Sequence, residues 1–184
     1  MAPMLNPRLD FYAVHYNGFI YVFGGKNQYG PMRLCEKYDI SQNKWTALPS
    51  LPEATANMAG ALSVDEGENP RNNFSPEENC NLDLIILSGG YTKHEASRQV
   101  YQFDLKCQKY LQMPKMMFHR AGHIMDIVTI NGQSSLIVVG GSDHPYNGRV
   151  VWNIETYCNG VWRLYDRIHP TGPFTKGSIN FKIS

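Results

Sequence analysis

The residue types most typical of catalysis cluster at His119, Arg120, His123 and Asp126. Two histidines four residues apart lie on one face of a helix, where they can bind one metal ion. This segment is instead expected to enter a strand, in which the same spacing places the two side chains about 13 Å apart. The pattern therefore disfavours a shared metal, and the sequence predicts no metal site, no cofactor and no catalytic residue.

Glycine pairs offer a second kind of chemistry, because glycine-rich turns after strands can hold phosphate groups. The chain has three such pairs, each after an apolar run: Gly24-Gly25, Gly89-Gly90 and Gly140-Gly141. None continues as Gly-x-Gly-x-x-Gly or ends in Gly-Lys-Ser/Thr, and no helix is expected to follow. A nucleotide-binding function is rejected on those grounds.

Composition excludes several further classes of function. The 184 residues include 17 basic and 16 acidic side chains, so no overall charge favours nucleic acid or a membrane surface. The apolar runs are too short to cross a bilayer, and no signal-peptide core is visible. The cysteines contain no Cys-x-x-Cys pair, which disfavours a zinc site or a disulfide framework; they are Cys35, Cys80, Cys107 and Cys158. We expect a cytoplasmic protein.

The elements that would position any site are set by an internal repeat. An aromatic residue follows the second glycine of each pair, 20 residues later at Trp45 and Tyr110 and 21 residues later at Trp162. Between glycine and aromatic lies an apolar residue followed by an acid, at positions 38–39, 103–104 and 154–155. The glycine pair, the apolar-plus-acid pair and the aromatic residue recur three times at nearly constant spacing, which indicates three copies of one structural unit.

Each copy is predicted to hold four short strands. An apolar run that ends in Gly-Gly is typical of a strand buried on both faces. In the first copy this run is 19–23, and the flanking strands are expected at 11–16, 34–39 and 44–47. The second copy carries an acidic insertion at 65–81 with the composition of a loop. The fold is therefore predicted to be all-β.

The pattern resembles the kelch repeat family, which combines a double glycine, a Tyr-Asp pair, a tryptophan and a Leu-Pro or Met-Pro linker. The linkers here are Leu48–Pro52 and Met113–Met116, the second followed by Arg120. Departures are Tyr110 in place of tryptophan, no arginine after the first linker, and Ile154-Glu155 in place of Tyr-Asp. The resemblance implies a kelch-type β-propeller, and it makes Arg120 and His123 structural residues of an Arg-x-x-His linker.

This family architecture predicts about three four-stranded blades within an incomplete ring. The expected blades are 9–52 (blade A), 53–117 with its insertion (blade B) and 118–168 (blade C). Residues 1–8 are expected to end a preceding blade, and 169–184 to begin a following one. The remaining blades would come from the same chain or from a neighbour.

Strands a to d of such a blade alternate in direction, so the b–c loops and the linkers between blades emerge on one face. These loops are 26–33, 91–98 and 142–149, and each contains a tyrosine and ends in arginine. Aromatic and arginine side chains supply much of the binding energy at protein interfaces. The predicted partner-binding residues are Lys26, Tyr29, Arg33, Tyr91, Lys93, Arg98, His144, Tyr146 and Arg149. The alternative is that the tyrosines pack on neighbouring loops.

The sequence thus predicts a non-catalytic protein-interaction module, a scaffold or a recognition propeller within a larger complex. The excess of basic residues in the loops favours an acidic peptide segment as the partner. One alternative is the substrate-recognition domain of a cullin-type ubiquitin ligase adaptor, which would require a BTB-type region on the same polypeptide. Another is an enzyme that uses the propeller mouth, such as a copper radical oxidase or a sugar isomerase.

Overall fold

The computed structural model describes residues 1–64, 83–130, 133–144 and 148–167. All the regular elements in this part of the chain are β-strands, and twelve of them form three four-stranded antiparallel sheets. Each sheet is one blade, so the predicted all-β blade architecture is confirmed. The three described blades do not close a ring. The acidic insertion at 65–81 and the expected strand at 169–184 lie outside the described residues.

Blade A is a four-stranded antiparallel sheet whose strands follow one another in up-and-down order. A two-stranded ribbon, which the repeat pattern did not predict, lies within its b–c loop. The strands of the sheet are β1 (Tyr12–Tyr16), β2 (Phe19–Phe23), β5 (Cys35–Asp39) and β6 (Lys44–Leu48), and those of the ribbon are β3 (Lys26–Asn27) and β4 (Gly30–Pro31).

Blades B and C have the same up-and-down order without a ribbon among their described residues. The strands of blade B are β7 (Ala59–Ser63), β8 (Leu84–Ser88), β9 (Val100–Asp104) and β10 (Tyr110–Met113). Those of blade C are β11 (Ile124–Ile130), β12 (Gln133–Val139), β13 (Asn153–Cys158) and β14 (Val161–Arg167).

The core lies between the blades, where sheet faces pack against each other. All five residues of β8 are buried, as the apolar run predicts for a strand covered on both faces. Phe23 of blade A meets Phe103 of blade B edge to face, with ring centroids 5.4 Å apart. Ile86 belongs to the cluster shared with Leu136 and Val138 of blade C. Burial of these side chains holds neighbouring blades together.

The glycine pairs let the linker of the following blade pass close to the end of strand b. Gly24 and Gly89 both have positive φ angles, 58° and 57°. A Cβ atom at Gly89 would lie 2.5 Å from the carbonyl oxygen of Arg120, and one at Gly24 would meet that of Thr55. Glycine is therefore required both for the backbone conformation and for the close approach.

The strand register corrects one sequence assignment in blade C. Tyr38 pairs with Ile20 and Phe103 pairs with Ile85, and the corresponding partner of Leu136 is Tyr157. Ile154-Glu155 is therefore not the third apolar-plus-acid pair; Tyr157-Cys158 occupies that position. The loop before it is three residues longer than in the other blades, so counting from the glycines selected the wrong residues.

A shorter turn explains why blade C has no acid at this position. Asp39 and Asp104 each accept hydrogen bonds from backbone N–H groups of the turn that follows strand c. In blade C the strands are joined by Asn159-Gly160, both with positive φ, as in a two-residue type I′ turn. Such a turn needs no aspartate to accept its N–H groups.

A candidate protein-interaction face

The b–c loops and the inter-blade linkers lie on one face and are tied together by backbone hydrogen bonds. The N–H of Leu51 donates to the carbonyl of Arg33 at 2.8 Å, and that of Met116 donates to Arg98 at 3.0 Å. The N–H of Gly90 donates to the carbonyl of Arg120 at 2.7 Å. The loops of blades A and B are therefore each held by the linker that leads into the next blade. We call this surface the loop face.

Equivalent backbone groups also join one blade to the next. The N–H of Asn57 donates to the carbonyl of Asp10 at 2.6 Å, and the N–H of Gly122 donates to that of Asn57 at 2.9 Å. All three residues have φ angles between 54° and 64°. The repeated left-handed conformation aims each linker at its neighbour, which fixes the spacing of the loops along the arc.

The repeat aromatics hold the linker that enters their own blade. Trp45 donates its indole N–H to the carbonyl of Ala2 at 2.9 Å, and Trp162 donates to that of Pro114 at 2.7 Å. Tyr110 donates its hydroxyl to the carbonyl of Pro49 at 3.0 Å. Tyr110 therefore makes the bond that tryptophan makes in the other two blades.

Buried arginine–glutamate pairs support the loop face in blades A and C. Arg120 donates to Glu155 at 2.9 Å, and both side chains are fully buried. Its guanidinium also donates to the carbonyls of Gly140 and Asn153, each at 2.7 Å. Burial lowers the pKa of Arg120, while the charge of Glu155 opposes that shift. The glutamate in addition accepts the N–H of Met117 at 2.5 Å.

Blade A repeats this arrangement with Arg8 and Glu36. Arg8 is paired with Glu36 and donates to the carbonyl of Gly24 at 2.9 Å and to that of Leu34. Glu36 accepts the N–H groups of Leu5 and Asn6. Sequence reasoning missed Glu36 and gave Glu155 a different role. Each glutamate stands two residues before the strand-c aromatic, Tyr38 or Tyr157, and each partner arginine follows a linker.

Two predicted partner-binding residues are engaged within the protein. Tyr91 is only 7% exposed and packs with Ala56, Ala96 and Ala121. Its hydroxyl donates to Asp10 at 3.2 Å, and the Lys26 ammonium lies 5.5 Å from its ring centroid. Tyr91 therefore packs on neighbouring loops, which was the alternative to its predicted exposure to a partner.

Lys26 and Asp10 form an ion pair of 2.8 Å beside that ring. The hydrogen bond from Lys26 lowers the pKa of Asp10, and the same bond raises the pKa of Lys26. Sequence reasoning missed Asp10, because its partners belong to the b–c loops of two different blades.

The other predicted residues differ in exposure. Tyr29 at the tip of the β3–β4 ribbon is 86% exposed, and His144 is half-buried. Four cations are exposed and are in no ion pair within the described part of the chain: Arg33, Lys93, Arg98 and Arg149. Tyr146 lies outside the described residues. Of the predicted partner-binding residues that the structure describes, Tyr29 is thus the exposed aromatic ring, and the exposed cations give the loop face an excess of positive charge.

The two histidines of the catalytic-looking cluster do not share a strand face, because β11 begins only at Ile124. His119 is exposed and donates from Nδ1 to the carbonyl of Ala96 at 2.7 Å. His123 is buried, and its Nε2 shares a 2.8 Å hydrogen bond with the Ser88 hydroxyl. Burial lowers the pKa of His123 to about 3, and the charge of Arg120 adds to this effect. Both His123 and Arg120 lie in the interior, as a structural role requires.

The repeat unit of this chain matches a known protein family. The family model described as the Kelch motif matches residues 7–52, which contain all four strands of blade A together with Arg8, Glu36 and Trp45. The chain belongs to the kelch repeat family. Among the described residues, no helix is long and apolar enough to cross a membrane.

Curated relatives resemble this kelch chain over most of its length. Kelch-like protein 36 of Rattus norvegicus is 32% identical over 172 residues, which are 89% of this chain and 24% of that protein. Kelch-like protein 38 of Danio rerio is 29% identical over 123 residues, 66% of this chain and 16% of that protein. The chain thus spans about a quarter or less of the relatives that it matches. These similarities support a protein-interaction module.

Proposed function

We propose that this chain is part of a kelch propeller that recognises another protein through its loop face, without catalysis. The observation that carries the proposal is a set of exposed cations on the b–c loops of three successive blades that form no ion pair with another described residue: Arg33, Lys93, Arg98 and Arg149. Backbone bonds to the linkers hold Arg33, Arg98 and Ser142 of these loops before any partner arrives. A preorganised surface loses less conformational entropy on binding.

The charge of the loops indicates the chemistry of the partner. The three b–c loops contain five basic residues and only the acids Glu95 and Asp143. Lys26 is already neutralised by Asp10, so the exposed arginines dominate the field. Arginine forks bind carboxylates in a bidentate manner. The proposed partner is therefore a peptide segment rich in Asp or Glu.

The exposed ring of Tyr29 supplies the apolar part of the proposed contact. Tyr29 stands at the tip of the ribbon, and the N–H of its own backbone donates to the Asn27 side chain at 2.8 Å. This bond stabilises the turn that presents the ring. Rigid aromatic side chains gain contact area at little entropic cost. We expect it to contact an apolar residue that flanks the acidic segment.

Selection of peptides displayed on phage tests this proposal with a defined probe. The longest available form of the protein that contains these three blades is immobilised and offered a random peptide library. Enriched peptides should carry excess Asp and Glu, and their binding should weaken as salt is added. Enrichment of basic or uncharged peptides would contradict an acidic partner. Acidic peptides that still bind after Arg33, Arg98 and Arg149 are all changed to Ala would contradict the loop face.

A further inference from the structure

Blade B lacks the buried arginine–glutamate pair of its two neighbours, and all the positions of that network have changed together. Strand pairing places Tyr101 where Glu36 and Glu155 lie, since each pairs with the second-last residue of strand b. Thr55 takes the place of Arg8 and Arg120, one residue before the bridge to the b–c loop. Neither residue carries a charge.

The linker of blade B has changed in step with these two positions. The backbone N–H of Leu5 in blade A and of Met117 in blade C donates to the buried glutamate. The equivalent residue in blade B is Pro52, three residues before Thr55, and proline has no N–H to donate. The loss of the acceptor is thus matched by the loss of its donor. The carbonyl groups that receive the arginine, however, belong to the backbone and cannot be removed.

Those carbonyl groups are the equivalents of Gly24 and Leu34 in blade A, and of Gly140 and Asn153 in blade C. In blade B they belong to Gly89 and Gln99. Both residues line a small cavity. The centre of a water molecule can occupy a volume of about 10 Å³ within it. Thr55, Tyr101, Ser88 and Ser97 line it as well. The cavity therefore lies at the site that the guanidinium fills in the other blades.

The volume and the polar lining of this cavity determine which molecule it can bind. A space of this volume accepts one water molecule and is too small for a guanidinium group. The carbonyl of Gln99 accepts the N–H of Gly89 at 2.9 Å. A carbonyl oxygen has two lone pairs, so one water can donate to the oxygens of Gln99 and Gly89 at once. Ser88, Ser97 and Thr55 also line this space, with the Ser88 hydroxyl bonded to His123 and the Thr55 hydroxyl bonded to the carbonyl of Glu53.

We infer that blade B binds one structural water molecule in this cavity, donating to the carbonyl oxygens of Gly89 and Gln99 in place of the arginine of blades A and C. The water holds the base of the b–c loop at 97–99, immediately beside the exposed Arg98 of the loop face. It does so without a buried charge, so this blade avoids the cost of desolvating an ion pair.

A high-resolution crystal structure of the protein tests this assignment. Solvent density is expected within about 2.5–3.0 Å of both carbonyl oxygens, with displacement parameters close to those of Gly89. A well-ordered cavity without density would overturn the inference. A side chain from elsewhere in the protein at the same place would overturn it equally.

A double variant, Thr55→Arg/Tyr101→Glu, provides the complementary measurement. Loss of the Tyr101 ring, which lines the cavity, makes room for the new guanidinium, which should bind the same two carbonyl groups and displace the water. The matched control is Thr46→Arg/Gln42→Glu, which introduces the same two charged residues at exposed positions of blade A and should keep the water. Retention of the water beside a seated guanidinium would contradict the equivalence of the sites. If the double variant does not fold, the electron density of the wild-type protein still tests the inference by itself.

Discussion

Several buried polar side chains connect segments of this structure that are far apart in the sequence. His123 crosses from the linker of blade C to Ser88 of blade B, and its Nδ1 atom has no hydrogen-bond partner among the described residues. Arg120 and Glu155 lie directly beside the same linker. His123 and Arg120 look catalytic in the sequence, yet their contacts show that they join backbone segments. The structure therefore gives them predictable effects on stability.

The burial of His123 predicts a dependence of stability on pH. The neutral imidazole is favoured in the folded state, with its pKa lowered to about 3, whereas the unfolded chain titrates near 6.5. As pH falls from about 6.5 towards 3, only the unfolded state takes up this proton, so the free energy of unfolding decreases by up to about 1.4 kcal/mol per pH unit. Above about pH 6.5 this contribution is constant.

Urea denaturation of wild type and His123→Gln between pH 7.5 and 5 measures this effect. In the variant, the free energy of unfolding should depend less on pH, by the contribution of the one proton that His123 takes up on unfolding. His15→Gln, at an exposed position, serves as the control and should keep the wild-type slope. An unchanged slope in His123→Gln would show that His123 is not held neutral in the folded state.

The Arg120–Glu155 pair predicts a large effect of a single substitution. Arg120→Met leaves the Glu155 carboxylate buried without its cation, so the free energy of unfolding should fall by about 3–5 kcal/mol. Arg120→Met/Glu155→Leu should recover part of this loss, because no charge then remains buried. Arg163→Met on an exposed position of β14 is the control for the lost side chain. Equal stability of Arg120→Met and the control would refute the role of the pair.

At the scale of the elements, the sequence predicted the strands well because their signals are local. An apolar run that ends in two glycines identifies strand b without knowledge of distant contacts, and β8 and β12 lie where this signal placed them. The assignment of Ile154-Glu155 was wrong because loop length is not fixed by such a signal. The dipeptide Asn159-Gly160 and the aromatic Tyr157 before it could have shown the shorter turn.

The position of Tyr91 could not be derived from local sequence. Its burial depends on Ala121 of the next linker, and its hydrogen bond depends on Asp10, 81 residues away. A tyrosine in a loop has the same local signature whether it packs on neighbours or faces a partner. Exposure of Tyr29 and burial of Tyr91 are therefore outcomes of how the blades pack.

Tyr110 offers a test of how an element is tied to its linker. Tyr110→Phe keeps the ring but removes the hydroxyl that donates to the carbonyl of Pro49. We expect the free energy of unfolding to fall by about 1 kcal/mol in urea denaturation. Tyr165→Phe, at a half-exposed position of β14, should change it far less. No difference between the two variants would mean that the hydroxyl does not hold the linker.

At the scale of the whole molecule, three blades present their b–c loops side by side. The inter-blade bonds through Asp10, Asn57 and Gly122 set the order of the loops, and the inter-blade core fixes their spacing. The sequence located these loops by the alternation of strand direction alone. The proposal of an acidic partner rests on which loop charges form ion pairs among the described residues, and only the structure shows this.

Charge reversal on the two ends of the blades tests the central claim most directly. The loop-face variant is Arg33→Glu/Arg98→Glu/Arg149→Glu, and the control Lys44→Glu/Lys106→Glu/Arg163→Glu changes as many charges at exposed positions outside the b–c loops. Binding of the acidic peptides enriched by phage display is measured by isothermal titration calorimetry at two salt concentrations. The loop-face variant should lose at least tenfold in affinity, equivalent to about 1.4 kcal/mol, while the control should bind within about twofold of wild type. Equal losses in the two variants, or full binding by the loop-face variant, would contradict the proposed recognition surface.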